Sequence, residues 1–394
     1  MCEVILPCEY NPKECPSLPK EKPRLFTNLL LYCWQREYDK RPYRQFQFKR
    51  LEFEERIGRK YHCIRDLRVI VNYLLRRPQL SVNISSLVVS NWDAGLLKDF
   101  IRALIPVWYI DLTLMNFPHE FFVMMRLNAG KLNVSHLSLQ GPSCDPAGTP
   151  LTDNDVRILR EFLLVSKTLR KLNVSRCSLT QYNFALIADG VYKSPGVRRL
   201  NASRLLGKGL TLDSEKMASI LGSLLMQNTL WSLTLEHCEL TAQDMIPIAE
   251  YLALPDSRFR RLRIACNKIG PDGVFFLMRG MSLGGYLELL DIRYCSIGTH
   301  GGEWVAKYLT SCRKLQSLHL NYNEIGSEAV NLILLAMKKR CKLERLTLYG
   351  NTFDSRTAMI VRRLLDAEVV LHSELDISYT YDEALQDYRV VPWR

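Results

Sequence analysis

Twelve cysteines, seven histidines, 41 acids and 53 lysines and arginines supply whatever chemistry this 394-residue chain has. Such a set could bind a metal, carry out nucleophilic or acid–base catalysis, or recognise an anionic partner. A structural zinc site needs thiolates and imidazoles at short paired intervals, so that four of them close on one ion. Cys2, Cys8 and Cys15 are spaced by six and seven residues, and the adjacent pairs His62-Cys63 and His237-Cys238 have no second pair to match. Nothing reads as HExxH, GxSxG or GxxxxGK[ST], and Gly207-Lys208-Gly209 lies in the wrong context for a phosphate loop. The expectation is a protein without metal, cofactor or enzymatic activity.

Recognition is the chemistry that the charge favours. The formal net charge is +12, with an isoelectric point near 9.1, which attracts acidic partners. Apolar residues make up 47% of the chain, enough for a folded core and against wholesale disorder. No apolar run is long enough to cross a membrane, and the start lacks the pattern of a signal peptide. Sparse cysteines then read as reduced thiols, and the expected location is cytoplasmic. Four Asn-x-Ser sequons, at Asn83, Asn133, Asn173 and Asn201, sit inside apolar alternations and are discounted as glycan acceptors.

The basic side chains are laid out by a repeat. Leu169…Leu172-Asn-Val174…Cys177-Ser-Leu179 aligns with Leu230…Leu233-Thr-Leu235…Cys238-Glu-Leu240. Four further copies start at Phe259, Leu287, Leu315 and Leu343, each step being 28 or 29 residues. Weaker copies start at Ile84, Tyr109, Val134 and Val197, and Lys131-Leu-Asn-Val-Ser135 offers a rival frame near residue 134. Glu374-Leu375-Asp-Ile377 reads as a degenerate closing unit. Leu172 and Val174 alternate as on a strand, and the Asn or Cys at the ninth position can bond backbone groups that a turn leaves unpaired. The second half of each unit is helical, as over 326–337 with Ser327 as the expected N-cap, and over 245–254, 274–281, 305–309 and 359–365. One strand and one helix cannot bury an apolar face alone; stacked copies can.

This pattern resembles the ribonuclease-inhibitor-like leucine-rich repeats over about residues 84–380. The resemblance implies an α/β leucine-rich repeat solenoid of about 10–11 repeats. In such a horseshoe, parallel strands line the concave face and helices the convex face. It implies a non-enzymatic protein–protein interaction scaffold, although the fold class alone does not fix a function. A second likeness, carried by Leu151-Thr-Asp-Asn-Asp-Val-Arg-Ile-Leu159 and Val391-Pro-Trp-Arg394, is to the family of the centrosomal protein of 78 kDa. It implies a place at the centrosome, centriole or cilium.

The inward row of each strand can be read off. The basic members are Lys171, Arg176, Arg199, Arg204, Arg261 and Arg263, with Arg293 and Arg345 further on, and Tyr294, Tyr322 and Tyr349 form an aromatic series. Arg and Tyr are types enriched at binding hot spots, so these residues are the candidate partner-binding set. The inhibitor that names the resembled family sets an acidic face against basic ribonucleases. This face has the opposite sign, so the expected partner is an acidic protein. Single-stranded nucleic acid ranks lower, for want of a recognised module.

The expected organisation is a Pro-rich lead over 1–23, a helical basic cap over 24–80, the array over 81–380 and a tail over 381–394. Helices are expected over 24–38 and 62–77. Asn28-Leu29-Leu30-Leu31-Tyr32-Cys33 resembles the elongin-binding box of cullin ubiquitin-ligase receptors, with Asn28 and Glu37 departing from that pattern. This gives a substrate-receptor alternative. A GTPase regulator is another, by analogy with an activator that shares such repeats.

Overall fold

Short alternating strands and amphipathic helices follow one another along the chain, as the apolar spacing requires. A computed structural model describes residues 2–3, 46–48, 53–54, 59–60, 81–88, 94–107, 109–115, 119–139, 151–205, 213–226, 229–337, 343–384 and 386–393. The Pro-rich lead, the two expected N-terminal helices and the elongin-type box lie outside the described residues, apart from Cys2 and Glu3. The chain divides into two units, one of 1–177 with 193–197, the other of 178–192 with 198–394.

The first unit holds a parallel sheet of β1 (Cys2–Glu3), β2 (Phe46–Phe48), β5 (Ser81–Val88), β6 (Tyr109–Met115), β7 (Val134–Leu139) and β8 (Lys171–Asn173), paired in that order. A small antiparallel pair, β3 (Phe53–Glu54) and β4 (Arg59–Lys60), completes its strands. The described residues within 24–80 form short strands, and Phe46-Gln-Phe48 has the two-residue period of a strand; the cap helices expected over 24–38 and 62–77 lie outside the described residues. Its helices are α1 (Ala94–Leu104), α2 (His119–Leu127) and α3 (Asp153–Val165). Leu137 pairs with Leu172, which settles the frame near residue 134: Val134, Leu137 and Leu139 are the repeat positions, and the Lys131 frame is excluded.

The second unit adds one strand and one helix per repeat. Its strands β9 (Arg199–Asn201), β10 (Ser232–Thr234), β11 (Arg261–Arg263), β12 (Leu289–Asp291), β13 (Ser317–His319) and β14 (Arg345–Thr347) are consecutive and parallel. Their middle residues, Leu200, Leu233, Leu262, Leu290, Leu318 and Leu346, lie in register at 1% exposure or less. Burial of one such leucine contributes about 2 kcal/mol. The helices are α4 (Gln181–Lys193), α5 (Ser214–Leu225), α6 (Ala242–Leu252), α7 (Gly270–Leu283), α8 (Gly298–Leu309), α9 (Ser327–Ala336) and α10 (Ser355–Asp366), and from α5 onward each packs on the next. Phe184, Leu221, Ile248, Leu277, Val305, Val330 and Val361 are their buried contributions, so an apolar layer separates strands from helices. This is the expected repeat solenoid.

Helix ends depart from the sequence reading. Four helices begin before their first strongly apolar residue, because the capping turn precedes the buried stripe. The N-cap of α9 is Gly326, and Ser327 is its first helical residue, so the helix begins one position earlier than expected. The array closes on a parallel bridge from Leu346 to Leu375, and then on an antiparallel hairpin, β15 (Ile377–Asp382) and β16 (Asp387–Pro392). That hairpin spans the tail boundary expected at 380. Among the described residues no helix is long and apolar enough to cross a membrane.

Candidate functional site

The rigidity of the strand face comes from the turn behind it. Asn267 accepts from the amides of Cys238 (2.9 Å) and Leu240 (3.1 Å), while its own Nδ2 donates to the carbonyls of Leu235 and Ile264. Asn323 likewise accepts from the Cys295 amide at 2.7 Å, and Asn351 from the amides of Asn323 and Ile325. Each Asn therefore ties two successive turns. The cysteines do less: the thiols of Cys238 and Cys295 donate to Ala202 and Ile264 carbonyls. Burial pushes both thiols up to about 12, which makes them inert packing groups.

Just past each strand the backbone enters the left-handed region, at Arg204 (φ 52°), His237 (54°), Cys266 (59°), Tyr294 (54°), Tyr322 (55°) and Gly350 (86°). Non-glycine residues rarely adopt this conformation, at a cost of about 1 kcal/mol. Here it is imposed by the ladder. The amides of Arg204, His237, Cys266, Tyr294 and Tyr322 donate to the next strand's Glu236, Ala265, Arg293, Asn321 and Tyr349 carbonyls at 2.8–3.1 Å. One side chain per repeat is thus held in a row along the strand face.

The expected site residues fall into three groups. Lys171 and Arg176 are exposed residues of the first unit. In the second unit Arg199, Arg204, Arg261 and Arg345 are exposed and Arg263 is half-buried. Among the described residues no ion pair holds any of these five. Arg293 differs. Its Nε and Nη2 donate to both oxygens of the nearly buried Asp291 at 2.8 and 2.7 Å, a bidentate pair that raises its affinity for a proton. Asp291 thus neutralises one of the expected cations.

The tyrosines do come together. The rings of Tyr294 and Tyr322 stack at 4.5 Å and 8°, and Tyr349 meets Tyr322 edge-on at 5.9 Å. They remain 50%, 42% and 39% exposed, so the apolar faces are presented to solvent as well as to each other. Gly350 makes room: a Cβ there would lie within 2.7 Å of three Tyr322 ring carbons. Loss of solvent pushes the Tyr322 phenol up, helped by Tyr294 and Tyr349. Beside Tyr294 a groove of about 600 Å³ is lined by His237, Cys266, Asn267, Lys268, Tyr294 and Ser296.

Beneath the tyrosines runs a polar chain. His319 Nδ1 meets Thr347 Oγ1 at 3.0 Å, Thr347 donates to Asn321 Oδ1, and Asn321 Nδ2 donates to Asp376. Asp376 accepts from the amides of Leu348 (2.7 Å) and Tyr349 (3.1 Å), filling the place of a further strand. The expected closing unit therefore works through its aspartate.

The comparisons agree with this architecture. The family model described as "Leucine Rich repeat" matches residues 259–278 and 311–333. Mouse ribonuclease inhibitor is 26% identical over 231 residues, covering 53% of this chain and 49% of the inhibitor. The chain therefore carries leucine-rich repeats. Two NACHT, LRR and PYD domains-containing proteins are also similar to its array. Mouse protein 4C is 28% identical over 204 residues, 51% of this chain and 20% of the relative. Human protein 5 is 29% identical over 209 residues, 52% and 17% respectively. The leucine-rich repeat chain thus spans less than half the length of these relatives. A crystal structure of a TLR13-ssRNA13 complex covers 77% of this chain and 40% of its own, at 16% identity and a TM-score of 0.39, a level that carries no argument.

Several features of this leucine-rich repeat protein escaped the sequence reading. The Asp291–Arg293 pair was signalled by two opposite charges two apart on one strand face. The left-handed row had no signal, since Arg, His, Cys and Tyr are not residues that favour that conformation. The residues of the centrosomal likeness have local tasks. Thr152 and Asp155 form the capping box of α3, and the Trp393 amide donates to the Asp376 carbonyl at 2.8 Å.

Proposed function

We propose that this protein is a non-enzymatic interaction scaffold whose strand face in the second unit grips an acidic protein segment. The observation that carries the reading is the set of five arginines, Arg199, Arg204, Arg261, Arg263 and Arg345, which face solvent from one sheet without an ion pair among the described residues. Next to them stands a pre-stacked tyrosine cluster. Cations left unpaired on a rigid sheet complement an anionic partner and speed its capture, while fixed rings lose little entropy on binding. Lys171 and Arg176 would extend the same chemistry in the first unit.

The ribonuclease inhibitor's name gives its target as a ribonuclease; the basic face here favours a partner of the opposite charge. The relatives named above give no ground for a centrosomal, cullin or GTPase role, and the elongin-type box lies outside the described residues. Those readings rest on the sequence alone. The test is affinity capture from cells with the wild type and with Arg199, Arg204, Arg261 and Arg263 replaced by Glu. Capture of acidic proteins by the wild type and its loss in the folded variant supports the proposal. An unchanged set of captured proteins overturns it.

A further inference from the structure

From Arg204 to Tyr322 the left-handed row contains one small side chain among large ones. Its order is Arg204, His237, Cys266, Tyr294, Tyr322, with one residue supplied by each successive strand. Neighbouring strands stand about 4.8 Å apart, so two large side chains on adjacent strands close the space between them, as Tyr294 and Tyr322 do at 4.5 Å. Cys266 cannot do so, and the groove between His237 and Tyr294 is the result. The Cys266 thiol itself is pushed up by burial, ahead of the Glu236 charge, so it stands in the lining as a neutral thiol.

The surroundings of the groove set what can fill it. Arg261 and Arg263 begin and end β11, and Cys266 lies three residues beyond Arg263, in the turn past that strand. Arg204 stands two strands away in the same row, and the exposed Lys268 is part of the lining. A slot between the His237 and Tyr294 rings, with the Lys268 cation in its lining and unpaired arginines nearby, complements an apolar side chain whose neighbours are acidic. From these observations we infer that the groove is an anchor slot for a single aromatic or large aliphatic side chain of an extended acidic segment. The acids lie two to five residues from the anchor and sit over Arg263 and Arg261. This assignment rests on the strand-face reading above and adds to it the position and nature of the anchor.

The row supplies its own test variant. Tyr294 and Tyr322 adopt the backbone conformation of Cys266, so Cys266→Tyr places in the slot a residue that the ladder already accommodates twice. Tyr294→Gly removes the opposite wall and suits the same φ. The probes are fluorescein-labelled synthetic peptides of Glu, Ser and Gly. One carries a Phe three residues from the acids, one lacks it, and one carries Phe without acids. Thermal unfolding confirms that both variants fold.

The wild type is expected to bind the acidic Phe peptide about tenfold tighter than the acidic peptide alone. Cys266→Tyr and Tyr294→Gly should each abolish the tenfold difference between the two acidic peptides, and Cys266→Tyr should leave binding of the ring-free acidic peptide unaffected. Equal binding of the two acidic peptides by the wild type overturns the anchor while leaving the basic face intact. Equal binding of the acidic and neutral Phe peptides overturns the acidic context. No binding of any acidic peptide overturns both the anchor and the strand-face reading. Self-association of the wild type that is lost in Cys266→Tyr would assign the slot to a second copy of the chain and overturn the peptide assignment.

Discussion

Strands β9 to β11 and strands β12 to β14 share one backbone plan and present opposite chemistry. The first three carry Arg199, Arg204, Arg261 and Arg263, held by no ion pair among the described residues. On the last three, Arg293 is paired with Asp291, Arg345 is left as an exposed cation, and Tyr294, Tyr322 and Tyr349 take over most of the surface. The ladder that fixes the turns is the same in both, so the difference lies wholly in side chains. One half can attract from a distance, since charge acts over a Debye length of about 8 Å. The other acts mainly at contact, through ring area already desolvated by stacking. A partner that uses both would be steered by the first and retained by the second.

The largest expected effect falls on the steering half. Replacing Arg199, Arg204, Arg261 and Arg263 together by Glu should weaken an acidic partner by roughly a thousandfold, about 4 kcal/mol. The loss should appear mainly in the association rate, read by stopped-flow or surface binding kinetics. A variant that loses affinity only through faster dissociation would break the comparison.

Next in size is a change to the plan that both halves share. Asn323 is fully buried and serves two turns, so Asn323→Ala leaves an amide and carbonyls unpaired at a cost of about 3 kcal/mol. Cys295→Ala should cost about 1 kcal/mol, because its thiol is a weak donor and its amide stays bonded to Asn323. Denaturant unfolding of the two variants measures this asymmetry, and equal costs would contradict it.

Smaller again is the retaining half. Tyr322→Gly removes the middle ring but relieves a left-handed residue, so the two terms oppose each other in stability. Affinity should fall by about 2 kcal/mol, as for a central aromatic contact, mostly through faster dissociation. Thermal unfolding should move little. A salt titration sharpens the contrast: Tyr322→Gly should keep the wild-type salt dependence, and the four-arginine variant should lose it.

The leucine frame was legible because buried positions recur at one spacing, and the same frame gave the positions of the strand residues that alternate with them. Side-chain partnership was less legible. Arg293 and Arg345 look alike in sequence, yet only Arg293 has a carboxylate two residues back on its own strand. Helix limits such as Gly270–Leu283 exceed the apolar run 274–281 because periodicity marks only the stripe that faces the core. The groove at Cys266 was hidden for another reason: it depends on the small size of one residue relative to neighbours 29 and 28 positions away.

The smallest effect expected is a pH dependence at the seam between the halves. His319 lies half-buried on β13, beside Asp291 on β12 and Thr347 on β14, and its charged neighbours are Asp291, Arg293, Arg345 and Arg263. Burial holds its folded affinity for a proton below the usual value of 6.5, with Asp291 pulling the other way and the three arginines adding to the depression. The unfolded state therefore binds more protons between the folded value and 6.5, and stability rises with pH through that window. The full contribution is present above 6.5, declines as the pH falls below it, and levels off once His319 is protonated in both states. Denaturant unfolding between pH 7.5 and 5.5 should show a decline that His319→Gln reduces. Because the proton adds positive charge beside the arginine strands, acidic-peptide affinity should increase over the same interval in the wild type and not in His319→Gln. An identical pH profile for the two proteins would show that the seam carries no titrating link between the halves.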